Sequence, residues 1–439
     1  MPKIKLHWQI LIAILLAIGA GLLTGYYEGT AGAAQALSTY DFLGTLFISA
    51  LLMIIVPLIM SSIIIGIAGI AREGRLGPMG GKTLGFYVAT GLIAVLVGLV
   101  YVNLTTPGFV NGEPLGPERL GLDEQAAEAA EEIGDADAGE LVEIFLRMVP
   151  ENIVEAAVEM ELLGLIFFSL LFGYFMTRVT RENADTLYRF WDGVFQVMMK
   201  ITHLVMLFAP IGVFGLVAEV VTETGLDMAG PLVVFAITVV AALFTHVFVV
   251  MPLLVYWITG LNPLRLYRAM GPALLTAFST ASSMATLPIT MDCVRKNANV
   301  SQRTSSFVLP LGATVNMNGT ALYECVAAIF IAQAIAPAYG VEMTFGLQFV
   351  VVVTALVTSI GVAGVPMASM VAIGIILTAV GLPIEALGVL FVFDRILDML
   401  RTATNVFGDG VCSVIVAHLE GEEDLLPDLR HRAQVIGDE

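Results

Sequence analysis

The chain has 439 residues, 58% of them hydrophobic and only 13% charged, with a mean hydropathy of +0.89. Apolar runs long enough to cross a bilayer, at about 20 residues each, recur along it, so the chain reads as a polytopic helical membrane protein. Its formal net charge of −18 and the scatter of its 20 Lys and Arg residues between those runs exclude a nucleic-acid-binding surface.

In chain order, residues 8–26, 41–71, 84–104, 161–177, 191–220 and 231–260 read as the first six spans. The first is not a cleavable signal peptide: it is too long and lacks a small-residue cleavage site before the next span. Lys3 and Lys5 precede it; Arg72, Arg75 and Lys82 separate the second and third spans; Arg178, Arg181 and Arg189 lie between the fourth and fifth. Arg265 and Arg268 follow the sixth, then Arg295, Lys296 and Arg303, then Arg430 and Arg432. All fall on one face of a cell (inner) membrane if both termini are cytoplasmic, and the opposite loops hold almost no Lys or Arg. The acidic stretch 113–143 is then an external loop and EGEEDLLPD belongs to a cytoplasmic tail, both read as solvated. Cys293, Cys325 and Cys412 show no metal or disulfide spacing, and the five histidines are scattered singly, as core or interfacial packing residues are. No HExxH, GxSxG or Walker signature appears.

From about residue 270 onward the apolar segments are interrupted by small and polar residues. AMGPALLTAFSTASSMATLPITMDCV carries Thr280, Ser282, Ser283, Thr286 and Pro288 in its middle, and VVVTALVTSIGVAGVPMASMVAIGIIL is broken at 359–366. Each reads as two half-length helices meeting at a Gly/Ser/Pro tip, a re-entrant hairpin whose irregular backbone must be buried or line a cavity. Each is followed by an interrupted or polar helix, the order expected of inverted repeats with a binding site at their interface. Between the hairpins, Gly312, Asn316, Asn318, Gly319 and Thr320 interrupt LPLGATVNMNGTALYECVAAIFIAQ. An unwound turn there would direct carbonyl and amide oxygens inward, hard ligands suited to Na⁺. Glu324 follows one turn later on a span without Lys or Arg, a candidate proton carrier.

The last apolar helix, GVLFVFDRILDMLRTATNVFGDGVCSVIVA, carries Asp398, Arg401, Thr402, Asn405 and Asp409. At about 100° per residue these fall within an arc of roughly 100°, with Asp394 and Arg395 on its flanks. Charges inside a span are costly unless paired or hydrated and usually mark an ion or substrate path.

Residues 270–420 resemble the glutamate/aspartate transporter family, the dicarboxylate/amino acid:cation symporters, which includes archaeal sodium–aspartate transporters and animal excitatory amino acid transporters. The resemblance rests on ASSMATLPIT at the first hairpin tip, NMNGTAL in the broken helix, SIGVAGVP at the second tip and DMLRTATNVFGDG in the last helix. It implies an all-α elevator-type membrane protein of eight transmembrane helices plus two re-entrant helical hairpins in inverted repeats, assembled as a homotrimer in the lipid bilayer. Residues 1–82 would hold scaffold spans 1 and 2, 83–104 span 3 of a transport domain, 105–144 the acidic external loop, and 145–220 scaffold spans 4 and 5. Residues 221–439 would complete the transport domain with span 6, hairpin 1 (267–297), span 7 (304–336), hairpin 2 (345–380) as the outer gate, span 8 (386–419) and the tail.

The resemblance also implies site roles. Arg401, a planar permanent cation, would grip a side-chain carboxylate with two parallel hydrogen bonds. Asp398 would take the substrate ammonium, Asn405 and hairpin-tip amides near Ser282, Ser283 and Gly364 the α-carboxylate, with Thr320 and Thr402 completing the pocket. L-Aspartate or L-glutamate satisfies that set. A C4-dicarboxylate would leave Asp398 facing negative charge, and a neutral amino acid would leave Arg401 without its anion. Gly312, Asn316, Asn405 and Asp409 match one sodium site of the family, and Thr314 with carbonyls of Ser359, Ile360 and Val362 a second. Tyr87, Thr90 and Asn316 match a third, which departs from the pattern because Asn318 stands where Asp is usual and Gly91 where Ser is usual. Loss of that anion makes proton coupling through Glu324 more attractive. Arg395 would replace an arginine that archaeal relatives carry on the first hairpin, where this chain has Thr280, and would pair with Asp398 or Asp394. Na⁺ is thus the expected coupling ion, with no organic cofactor. The alternatives are a C4-dicarboxylate or neutral amino acid transporter of the same family with proton coupling, and, more remotely, an ion or anion channel. An intramembrane enzyme would need a base beside Ser282 or Ser283, and no span offers a convincing His or Lys.

Overall fold

The computed structural model describes residues 6–72, 78–120, 122, 149–158, 162–224, 229–361 and 368–427. Helix dominates because in an apolar medium the backbone must satisfy its own hydrogen bonds. The helices in order are α1 (Leu6–Tyr26), α2 (Ala31–Arg72), α3 (Pro78–Thr105), α4 (Ile153–Val158), α5 (Leu162–Met176), α6 (Arg181–Leu207) and α7 (Ala209–Thr224). There follow α8 (Ala229–Thr245), a π-turn (His246–Val250), α9 (Met251–Thr259), α10 (Pro263–Thr280), α11 (Ser283–Asp292), α12 (Gln302–Val315) and α13 (Asn318–Ile335). The last are α14 (Phe345–Gly361), α15 (Ala368–Ala379) and α16 (Phe391–Leu419). Met79–Thr105, Gly230–Thr259 and Gln302–Tyr339 are each long and apolar enough to cross a membrane, and α6 with α7 adds a fourth such stretch if the pair, bent by 56°, is taken as one.

Packing divides these helices into two groups. In one, α7 lies against α1 and α2, and α2 also meets α5 and α6. Small residues permit the approach: a Cβ at Gly215 would lie 2.6 Å from the Tyr40 carbonyl oxygen and 2.8 Å from the Gly44 nitrogen. In the other, α13 is the axle. All of its residues are buried, and it contacts α3, α8, α14, α15 and α16.

The first hairpin is α10 and α11. Asn262 caps α10 by accepting from the Leu264 amide at 2.9 Å, and Pro263 opens it. At its tip Ala281 takes a left-handed conformation (φ 50°) that L-residues with a Cβ avoid, and Ser282 caps α11 through the Ala285 amide at 3.2 Å. In the second hairpin, α14 and α15 are described, and the tip 362–367, with Val362 and Gly364, lies outside the described residues. The break before α13 occupies Asn316 and Met317, whose φ/ψ are −88°/77° and −107°/48°.

Four expectations from the sequence change. The second apolar run extends ten residues further toward the N-terminus, to Ala31, against the expected 41. The fifth is a bent pair rather than one rod. The last helix, which the family resemblance makes the second of two broken helices, is preceded by a 3-10 turn (Ile384–Leu390) and runs unbroken from Phe391 to Leu419, because its polar residues lie on one face and none removes a backbone hydrogen bond. The acidic segments are not simply solvated. Phe109–Val110 and Glu113–Pro114 form a short hairpin, β1 and β2, turned by Asn111 and Gly112 at positive φ, while Leu115, Leu120 and Leu122 are buried. Leu425 and Leu426, inside EGEEDLLPD, are buried too. The remainder of 113–143 falls mostly outside the described residues.

Candidate functional site

The polar face of α16 meets the break between α12 and α13. At the centre is Arg401, 0% exposed. Its Nη2 donates to Asp394 Oδ1 at 2.9 Å and to Asp398 Oδ1 at 3.1 Å, while Arg395 Nη1 lies 3.4 Å from Asp398 Oδ2. Two arginines and two aspartates therefore cancel in formal charge, which is what makes their burial tolerable. The guanidinium carbon sits 3.8 Å from the centroid of the Tyr323 ring, a cation–π contact strengthened by the dry surroundings. Arg401 Nε and Nη1 have no hydrogen-bond partner among the described residues. A donor left unpaired in this way costs roughly 1–3 kcal/mol, more when charged.

One turn further along α16, Asn405 bridges to the broken helix. Its Oδ1 accepts from the Gly319 amide at 2.8 Å, and its Nδ2 donates to Thr320 Oγ1 at 3.0 Å and to Met317 Sδ at 3.2 Å. Gly319 is required there, since a Cβ would lie 2.7 Å from the Arg401 carbonyl oxygen. Thr402 is buried on the same helix. Ser283 is buried and Ser282 serves as the cap of α11, so both stand at the tip of the first hairpin.

Below lies an oxygen-rich cluster. Asn316 Nδ2 donates to Asp409 Oδ1 at 2.8 Å and to the Asn405 carbonyl oxygen at 3.3 Å. A Cβ at Gly312 would collide with Asp409 Oδ1 and lie 2.5 Å from the Tyr87 hydroxyl, so Gly312, Tyr87 and Asp409 converge on one point. Tyr87 itself donates to the Val308 carbonyl at 2.9 Å. Asn316 Oδ1 is buried with no partner among the described residues, an acceptor aimed into a cluster that holds a buried carboxylate. Carboxylate, amide and carbonyl oxygens are a hard donor set that fits Na⁺. Asn318 is close by: its Oδ1 would lie 3.6 Å from a Cβ at Gly91, and its Nδ2 has no partner among the described residues. Thr90 Oγ1 donates to the Phe86 carbonyl, Thr314 Oγ1 to Leu311 and Ser359 Oγ to Leu356, so these hydroxyls are bonded within their own helices. Ile360 is the last residue but one of α14, which ends at Gly361.

Glu324, one turn beyond Thr320, is 0% exposed. Its Oε2 accepts from Thr358 Oγ1 of α14 at 3.0 Å, and its Oε1 has no partner among the described residues. Two residues here were missed by sequence reasoning, Tyr323 and Thr358. Tyr323 stands four residues after Gly319 and three after Thr320, spacings that put it on their face of α13, and the signal for Thr358 was its i,i+4 spacing from Thr354 on an apolar helix. Asp394, placed only on the flank of the polar arc, is the shorter of Arg401's two contacts.

The profile of the Sodium:dicarboxylate symporter family matches residues 6–419. The proton/sodium-glutamate symport protein of Geobacillus stearothermophilus is 34% identical over 423 residues, covering 96% of each chain. The proton/glutamate-aspartate symporter of Escherichia coli (strain K12) is 33% identical over 437 residues, 99% of this chain and 97% of its own. Excitatory amino acid transporter 1 of Ambystoma tigrinum is 33% identical over 445 residues, 89% of this chain and 79% of its own.

Proposed function

The chain belongs to the sodium:dicarboxylate symporter family, and from that premise we propose that it is an acidic amino acid symporter in which Arg401 grips the substrate's side-chain carboxylate. The single observation behind this role is that Nε and Nη1 of a fully buried guanidinium have no partner among the described residues, while the remaining nitrogen is held by Asp394 and Asp398. A substrate carboxylate supplies a charged acceptor to one of these two donors, and the ion pairs keep the guanidinium plane from rotating away. Asp398 then faces the ammonium, and Asn405 with the tip of the first hairpin faces the α-carboxylate. Na⁺ is the coupling ion, taken by the cluster of Gly312, Asn316, Asn405 and Asp409, supported by the buried acceptor Asn316 Oδ1. Thr314 with the carbonyls of Ser359, Ile360 and Val362 is a second cation site. Tyr87, Thr90 and Asn318 form a weaker third, since Asn318 brings no charge.

Proton coupling through Glu324 is part of the same reading, favoured by a buried carboxyl whose one oxygen is held by Thr358 while the other has no partner among the described residues. In this reading the group around α13 moves as a transport domain against the group around α2 and α7, within a homotrimer. The test is uptake of radiolabelled L-aspartate, L-glutamate, succinate and L-serine into proteoliposomes. Concentrative uptake of the acidic amino acids alone supports the reading, and preference for succinate or serine overturns it.

A further inference from the structure

The segment that follows α16 is folded back onto the protein rather than trailing from it. Leu426 donates its amide to the Ala298 carbonyl at 3.0 Å and accepts from Arg265 Nη1 at 3.2 Å. Arg265 stands at the foot of α10 and Ala298 just beyond the foot of α11, so one residue spans both feet of the first hairpin. Asn299 Nδ2 adds a bond to the Asp424 carbonyl at 3.2 Å. The side chains of Leu425 and Leu426 are 6% and 1% exposed and join the apolar cluster of Leu266, Met270, Cys293 and Val294. Asp424 and Leu426 both have positive φ, 56° and 54°, an unfavourable conformation for these residues that persists only where contacts hold it.

The same segment seats two further helices. Glu422 Oε2 accepts from the Ser301 amide at 2.8 Å, and its Oε1 accepts from Ser301 Oγ at 2.6 Å and from Thr304 Oγ1. It thereby places a carboxylate on the N-terminus of α12, where the helix dipole favours an anion. Burial pushes the Glu422 carboxyl up, but the bonds from Ser301 and Thr304 outweigh that and hold it below the usual range. Lys82 of α3 donates to the Leu419 carbonyl and to Glu420 Oε1, both at 2.9 Å.

We propose that residues 419–426 are a clasp that positions the first hairpin: they close its two feet, seat α12 and α3 against them, and so fix the height at which Ser282 and Ser283 meet the site. α12 ends at Val315 and is followed by Asn316, so the same clasp sets the other wall of that site. Leu426 and Glu422 are positioning residues, acting through the hairpin and α12 and touching no substrate. The transport consequence rests on the proposed function; the mechanical one does not.

The test uses the full chain in nanodiscs and in proteoliposomes, comparing wild type with the double variant Leu425→Ser/Leu426→Ser, with Glu422→Gln and with the conservative Leu426→Met. Hydrogen exchange without substrate is expected to accelerate at least about tenfold in peptides covering 263–272 and 293–306 of the double variant, and to stay unchanged in α1, α2 and α7. If only a fraction of molecules has the hairpin seated, apparent affinity falls by that fraction. The substrate KM should therefore rise about fivefold or more at unchanged maximal rate per folded protein, with Leu426→Met restoring it. Glu422→Gln should show the exchange effect at 299–306, which keeps the proposal testable if the double variant does not fold. Unchanged exchange at the hairpin feet overturns the clasp, and faster exchange at an unchanged KM overturns its positioning role. Absence of uptake by wild type overturns the transport reading instead and leaves the exchange result decisive for the clasp.

Discussion

Arg401 is where cost and use coincide. Burying a guanidinium is tolerated because Asp394, Asp398 and the Tyr323 ring surround it, and Nε and Nη1, without a partner among the described residues, are what the proposed function assigns to a substrate anion. Arg401→Cys is expected to weaken aspartate binding at least tenfold, about 1.4 kcal/mol, and to admit small neutral amino acids; affinity within about threefold of wild type, by calorimetry at saturating sodium, would refute the assignment. Asp409→Asn removes the carboxylate that Asn316 holds at 2.8 Å, and it should shift the sodium concentration needed for half-maximal substrate binding upward about tenfold or more while leaving binding at saturating sodium nearly intact. An unchanged sodium curve would mean that this cluster is not the coupling site. Glu324→Gln mimics a protonated carboxyl that never releases. An inside-alkaline proton gradient should accelerate wild-type uptake at fixed sodium and leave the Gln variant unaffected; equal acceleration of both, or of neither, removes Glu324 from the mechanism. The polar face of α16 was legible because helical periodicity alone aligns Asp398, Arg401, Asn405 and Asp409. Tyr323 was not, because an aromatic in an apolar span looks like core until the cation above it is placed.

Element by element, the break between α10 and α11 and that between α12 and α13 were readable from Ser, Gly and Asn inside apolar runs, residues whose backbone preferences oppose uninterrupted helix. The bend between α6 and α7 was not, since MLFAPIG carries its Pro in the first turn of the second helix, where proline is ordinary. The folded-back segment after α16 was also hidden: EGEEDLLPD has the composition of a solvated stretch, and only Leu425 and Leu426, an apolar pair among acids, signal burial. Packing of α7 on α2 depends on Gly215, so Gly215→Val, which places a branched side chain against Tyr40 and Gly44, should destabilise the fold by about 1–3 kcal/mol. A melting temperature in detergent indistinguishable from wild type would show that these helices do not pack so closely.

At the scale of the molecule, the helices separate into a group around α13, which holds the site, and a group around α7; the proposed function takes the first as carrier and the second as support. The buried charges of α16 are proposed to serve acidic amino acid symport. The most direct measurement of that role is L-aspartate accumulation in proteoliposomes with sodium, proton and potassium gradients imposed one at a time, for wild type and Arg401→Cys in parallel. Wild type is expected to accumulate aspartate under an inward sodium gradient, more so with an inside-alkaline pH, and the variant is expected to accumulate none. Accumulation indifferent to every gradient, or equal in the two proteins, would contradict that role.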